Sequence, residues 1–105
     1  MNWTKRVCDY YEISEARLLG PSKDATVVEA RHMLMYLLYV VDGDRSYADV
    51  GDLVNRDKST VHYAVGKVAH ALHDDHPETA IAYAALMAVD DGRRRPWWLG
   101  RRLPG

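Results

Sequence analysis

Between Ser46 and Leu72 two helical periods meet at a break of three residues. Val50, Leu53 and Val54 recur at i, i+3 and i+4, the spacing of one helix face. Ser46-Tyr47-Ala48-Asp49 opens this segment as a capping box with aspartate in place of glutamate. Asn55-Arg56-Asp57 interrupts the period. A second helix begins at Asp57 or Lys58 and carries Val61, Ala64, Val65, Val68 and Leu72 on one face. Short helix, tight break and second helix is helix-turn-helix spacing. The same spacing suits a plain helical hairpin with a solvated polar face, and the pattern alone leaves both open.

The remaining segments are helical too. Trp3, Val7, Tyr10 and Tyr11 share one face of a first helix. Ser14 caps a short second one through Leu19, which Gly20-Pro21 stops. Ser22-Lys23-Asp24 is a loop. A third helix is expected from about Ala25 to Val41, apolar enough to be buried on most sides, and Asp42-Gly43-Asp44 ends it. Pro77 precedes a last helix from Thr79 to Val89. Periodicity stops at Asp90, and no repeat or strand candidate is found. The expected architecture is all-α, a single compact domain of about six helices over residues 1–89, with an irregular Arg/Trp-rich tail over 90–105.

Composition narrows the function classes. The 105 residues are one domain's worth of chain. Net charge is only −1, yet the sum hides two opposed segments. Residues 1–91 hold all fifteen acids and nine of the fourteen bases, for −6; residues 93–105 hold five arginines and no acid, for +5. A single cysteine, Cys8, excludes an internal disulfide framework and a multi-cysteine zinc site. The N-terminus has no signal-peptide pattern, and the longest apolar run, Met33 to Val41, is half of what a bilayer needs. These features predict a cytoplasmic protein. Gly66-Lys67 lacks the rest of a phosphate loop, and no metalloprotease or nucleophile-elbow motif occurs. No catalytic residue, cofactor or metal is expected.

In helix-turn-helix units the second helix enters the major groove, N-terminal residues first. Here those residues are Lys58, Ser59, Thr60, His62 and Tyr63. Lysine donates to guanine O6 or N7, hydroxyls donate or accept, and a threonine methyl packs on thymine's methyl.

Residues 50–68, from Val50-Gly51-Asp52-Leu53 through Arg56-Asp57-Lys58-Ser59-Thr60-Val61 to Ala64 and Lys67-Val68, resemble a known signature. It is that of the C-terminal DNA-binding domain of the bacterial replication initiator DnaA, roughly I-G-x-x-F-G-x-R-D-H-S/T-T-V-x-x-A-x-x-K-I. Ala30-Arg31-His32-Met33-Leu34-Met35-Tyr36-Leu37 is similar to the family's A-R-Q-x-A-M-Y-L, and the resemblance covers about residues 3–88. It implies a DnaA C-terminal or Trp-repressor type of fold and double-stranded DNA as partner. It further implies that Lys58, Ser59, Thr60 and Ala64 face base edges. Asp57 would cap the recognition helix and accept from a cytosine amine. Arg31, Arg56 and Lys67 would meet phosphates, as would the backbone around Ala48 at a helix N-terminus. Lys23 would enter the minor groove.

Departures from the family pattern are informative. Lys58 replaces its histidine and His32 its glutamine, while the loop Ser22-Lys23-Asp24-Ala25 stands where the family has several arginines, and Glu29 adds an acid nearby. Weaker phosphate attraction and a different preferred site are expected. With no ATPase module, the reading is a stand-alone regulator of replication or transcription. A competitor for initiator sites, or a phage or mobile-element protein, fits that reading, as does a nucleoid-associated monomer. The different-class alternative is a protein–protein interaction module. The tail residues Arg93, Arg94, Arg95, Arg101 and Arg102, with Trp97 and Trp98, suit a DNA arm, a segment docking on a replication partner, or one folding back on the acidic body. A membrane anchor fits them poorly. His70, His73 and His76 suit a polar helix end better than a metal site. Cys8 is expected to be a partly buried, unreactive thiol, and Tyr36 and Tyr39 core residues.

Overall fold

Each helix starts where a side chain takes the first unsatisfied backbone amides. In the computed structural model, which describes residues 2–88, Asn2 accepts from the Lys5 amide and opens α1 (Trp3–Tyr11). Ser14 accepts from Arg17 and opens α2 (Glu15–Leu19). Asp24 accepts from Thr26 and opens α3 (Ala25–Tyr36). Ser46 and Asp49 form a reciprocal capping box on α4 (Tyr47–Val54). Asp57 accepts from Thr60 and opens α5 (Lys58–His73). The last helix, α6 (Pro77–Ala88), starts two residues earlier than the sequence pattern suggests. The ring of Pro77 explains this: proline lacks only an amide that a first helical position leaves unpaired. The expected tail, 90–105, lies outside the described residues.

The third helix differs from expectation at its C-terminal end. A regular helix to Val41 is predicted, but Leu37–Val41 forms a π-helical turn. The Asp42 amide reaches back to the Leu37 carbonyl at 3.2 Å. The wider turn keeps Leu37 and Leu38 inward and leaves Val40 44% exposed. It also brings Tyr39 flat against Tyr47, with ring centroids 4.2 Å apart. Asp42 fixes its end by accepting from the Trp3 indole at 2.9 Å and pairing with Arg45.

α3 is the axis of the core. Met33, Leu34 and Met35 are fully buried on it, as is Leu37 at the start of the π-helical turn. Around them pack Trp3 and Val7 of α1, Leu18 of α2, Val50 and Val54 of α4, and Val61, Ala64, Val65 and Val68 of α5. Ala82 and Leu86 of α6 close the cluster. Each fully buried Leu, Met or Val is worth roughly 1.5–3 kcal/mol. The axis also carries the one buried polar residue among those described, Arg31, which is 6% exposed.

The turn between α4 and α5 folds tightly onto α4. Asn55 takes the left-handed conformation at φ 60°, and the Arg56 amide donates to the Gly51 carbonyl. A Cβ on Gly51 would lie 2.4 Å from the Arg56 carbonyl oxygen, so only glycine lets the turn pass.

Candidate nucleic-acid interface

α5 divides into two faces. Val61, Ala64, Val65 and Val68 are buried, and the opposite side carries Lys58, Ser59, His62, Tyr63 and Lys67, all exposed. Thr60 is half-buried at the edge. Hydrogen bonds from Thr60 hold the Asp57 carboxyl below the usual range, so it stays ionised at the helix N-terminus. Asp57 and Lys58 are exposed where α5 begins. The base-edge expectation for Ala64 is corrected here. Its exposure is 0%, because it shares the inward face with Val61 and Val68, so no base edge can reach it.

Arg31 and Arg56 converge on a single stretch of backbone. Arg31 donates from Nε to the Leu18 carbonyl at 2.8 Å, and from Nη2 to those of Gly20 and Ser22, both at 3.1 Å. Arg56 donates from Nη2 to the same Gly20 carbonyl at 2.6 Å, and from Nη1 to Asn55 at 2.8 Å. Longer contacts join Nη1 to Leu19 and Val54. Both arginines thus pin the α2–α3 loop to the helix-turn-helix. Arg31, expected at the surface, is an internal strut, and Arg56 is half-buried. Burial and the neighbouring Arg56 pull the Arg31 guanidinium below its ordinary pKa.

An open cleft lies over this pair, lined by Gly20, Pro21, Ser22, Lys23, Arg31, Asn55 and Arg56. Among the described residues it holds three basic side chains and no carboxylate. Lys23 is exposed on its rim. Asp24, adjacent in sequence, is engaged elsewhere: it caps α3 and pairs with Arg17 at 3.6 Å. Glu29 lines a separate cleft with Tyr11, His32, Lys67 and His76. Burial and Glu29 push the Tyr11 hydroxyl up to about 12.

At the α4 N-terminus Ala48 is exposed. Its turn also holds the Asp49 carboxylate, which accepts from the Ser46 amide at 3.1 Å and so competes with any incoming anion. Two ring clusters went unpredicted. Tyr47 bridges Tyr39 and His62, the latter edge-on at 5.0 Å. Tyr63 lies edge-on to His32 at 6.1 Å, with Lys67 Nζ 5.8 Å from its ring centre. The available signal for the second was a lone glycine, Gly66, inside a helical pattern on the same side of α5. Away from this surface, Tyr36 packs edge-on to Tyr83, and burial pushes up the pKa of the half-buried Cys8 thiol. His76 contacts Thr79 at the start of α6. None of the described helices is long and apolar enough to cross a membrane. The tail arginines Arg93, Arg94, Arg95, Arg101 and Arg102 lie outside the described residues.

Comparison with known proteins agrees with this geometry. The family model described as the bacterial dnaA protein helix-turn-helix matches residues 4–68. The chromosomal replication initiator protein DnaA of Thermomicrobium roseum is 32% identical over 91 residues, 86% of this chain and 19% of that protein. The DnaA of Roseiflexus castenholzii is 32% identical over 72 residues, 68% of this chain and 15% of that protein. The chain therefore spans less than a fifth of the length of these curated relatives. The matched residues take in α2 to α4, the turn and most of α5, and the chain belongs to the bacterial DnaA helix-turn-helix family.

Proposed function

We propose that this protein binds double-stranded DNA sequence-specifically, without catalysis, and regulates replication or transcription in the bacterial cytoplasm as a monomer. Lys58, Ser59 and Thr60 meet base edges in the major groove, with Asp57 accepting from a base amine. Lys67, Arg56 and the amides around Ala48 meet phosphates. Arg31 acts chiefly by holding the loop that carries Lys23, which enters the minor groove. The tail arginines extend the phosphate contact or dock on a replication partner.

The observation that carries this reading is the cleft over Arg31 and Arg56. Two guanidiniums share the Gly20 carbonyl and have only neutral oxygens as partners among the described residues, and Lys23 adds a third positive charge. Uncompensated positive charge in an open cleft beside a recognition helix attracts a polyanion despite a net charge of −1. The test is duplex binding by the whole chain and by Lys58→Ala and Lys67→Ala. Both positions are exposed, so the fold is retained. Weakened binding in both supports the reading. Undiminished binding of a protein partner by variants of a chain that binds no DNA replaces it with an interaction module.

A further inference from the structure

The outward face of α5 contains a feature the fold does not require. Gly66 sits inside a helix of sixteen residues, where glycine costs stability relative to alanine. The other helical glycine, Gly51, is dictated by a backbone oxygen 2.4 Å from its would-be Cβ. At Gly66 a Cβ would meet nothing within 4 Å among the described residues. Nothing among the described residues accounts for the missing side chain. A surface that comes close to the helix from outside would account for it.

Ser59, Tyr63 and Gly66 follow one another at four and three residues and so lie along one line of the helix. That line is opposite the buried Val61, Ala64, Val65 and Val68. Tyr63 is 61% exposed, the one large apolar side chain of α5 in that state. It does not swing freely. His32 of α3 meets its ring edge-on, and the Lys67 ammonium lies over the ring. An exposed aromatic held from two sides is preorganised for contact, since little rotamer freedom is left to lose. Burial removes Ala64 from that face, so beside the small methyl of half-buried Thr60 the large apolar group that meets the groove is Tyr63.

We propose that Tyr63 is a specificity-determining residue that packs on the C5-methyl of a thymine, and that Gly66 is the notch against which the DNA backbone seats. Lys67, next to the notch, meets a phosphate there while holding the Tyr63 ring. This inference rests on the DNA-binding reading above and adds to it the base and the residue that reads it.

The test is selection from a random duplex library by the whole chain, Tyr63→Ala, Tyr63→Phe and Gly66→Ala, with folding checked by circular dichroism. The selected duplex is then remade with deoxyuridine for each thymine, which removes only the methyl. The unaltered chain and Tyr63→Phe should lose about fourfold in affinity at one position, the worth of one buried methyl. Tyr63→Ala should bind the two duplexes equally. Gly66→Ala should melt higher and bind every duplex more weakly. Equal thymine preference in the unaltered chain and Tyr63→Ala overturns the assignment of Tyr63. Unchanged affinity in Gly66→Ala overturns the notch. A chain that binds duplexes with no thymine preference sinks this inference alone, and a chain that binds none sinks the DNA-binding reading with it.

Discussion

The inner seam of the helix-turn-helix and the outer face of α5 are built to opposite rules. In the seam groups lie close together: the Gly51 position admits no methyl, and four guanidinium nitrogens of Arg31 and Arg56 satisfy six carbonyl oxygens along residues 18–22 and 54–55. On the outer face Ser59, Tyr63 and Lys67 are exposed, and the Gly66 position is open. Crowding that satisfies internal backbone sets stability, whereas space that no internal group uses is available to a partner. Substitutions on the two sides should therefore move stability and binding separately.

The largest effect is expected from Arg31→Ala. It strips a buried charged donor from the carbonyls of Leu18, Gly20 and Ser22, and should cost on the order of 3 kcal/mol in chemical denaturation. A loss below about 1 kcal/mol would show that the strut is dispensable. Gly51→Ala comes next, at roughly 2 kcal/mol, because a Cβ 2.4 Å from a backbone oxygen forces the turn outward. A drop in melting temperature of about 10 °C would accompany it. On the outer face the sign reverses, and Gly66→Ala should stabilise by about 0.5–1 kcal/mol while weakening duplex binding. If Gly66→Ala destabilised the fold, the contrast between the two sides would fail.

The smallest effect concerns pH. His32 lies half-buried between α3 and α5, and burial, then Lys67, then Arg31 hold its pKa below the ordinary value. The unfolded chain therefore binds this proton more readily than the folded one. The contribution of neutral His32 is complete above about pH 6.5 and is lost as pH falls through the lower folded value. Denaturation midpoints of His32→Gln should fall less than those of the unaltered chain over that window. Parallel curves would mean that His32 titrates alike in both states.

Local chemistry made much of this molecule legible in advance. Ser14 and Ser46 announce helix starts because their side chains replace missing amide partners, and both do so, as does Asp57, whose cap the family resemblance implies. Periodicity put Ala64 with the core while the family resemblance put it at the bases. Burial decides for periodicity, because a matched residue type carries no information on which way a helix faces. Arg31 was illegible for another reason. Its partners lie nine to thirteen residues away in a loop whose path depends on the tertiary fold. The π-helical turn at Leu37–Val41 likewise answers to packing of Trp3, Asp42 and Tyr47, none of which a helical period records. Gly66 lies inside a helical period in the sequence, and only the structure shows that the space around it is open.

DNA binding by a chain of net charge −1 is the central claim, and salt dependence tests it most directly. The affinity of the whole chain for the selected duplex, measured across ionic strength, should fall linearly on logarithmic axes. Lys67→Ala should reduce that slope by about 0.9, the share of one phosphate contact. An affinity that is flat with salt, or a slope that Lys67→Ala leaves unchanged, would contradict the account.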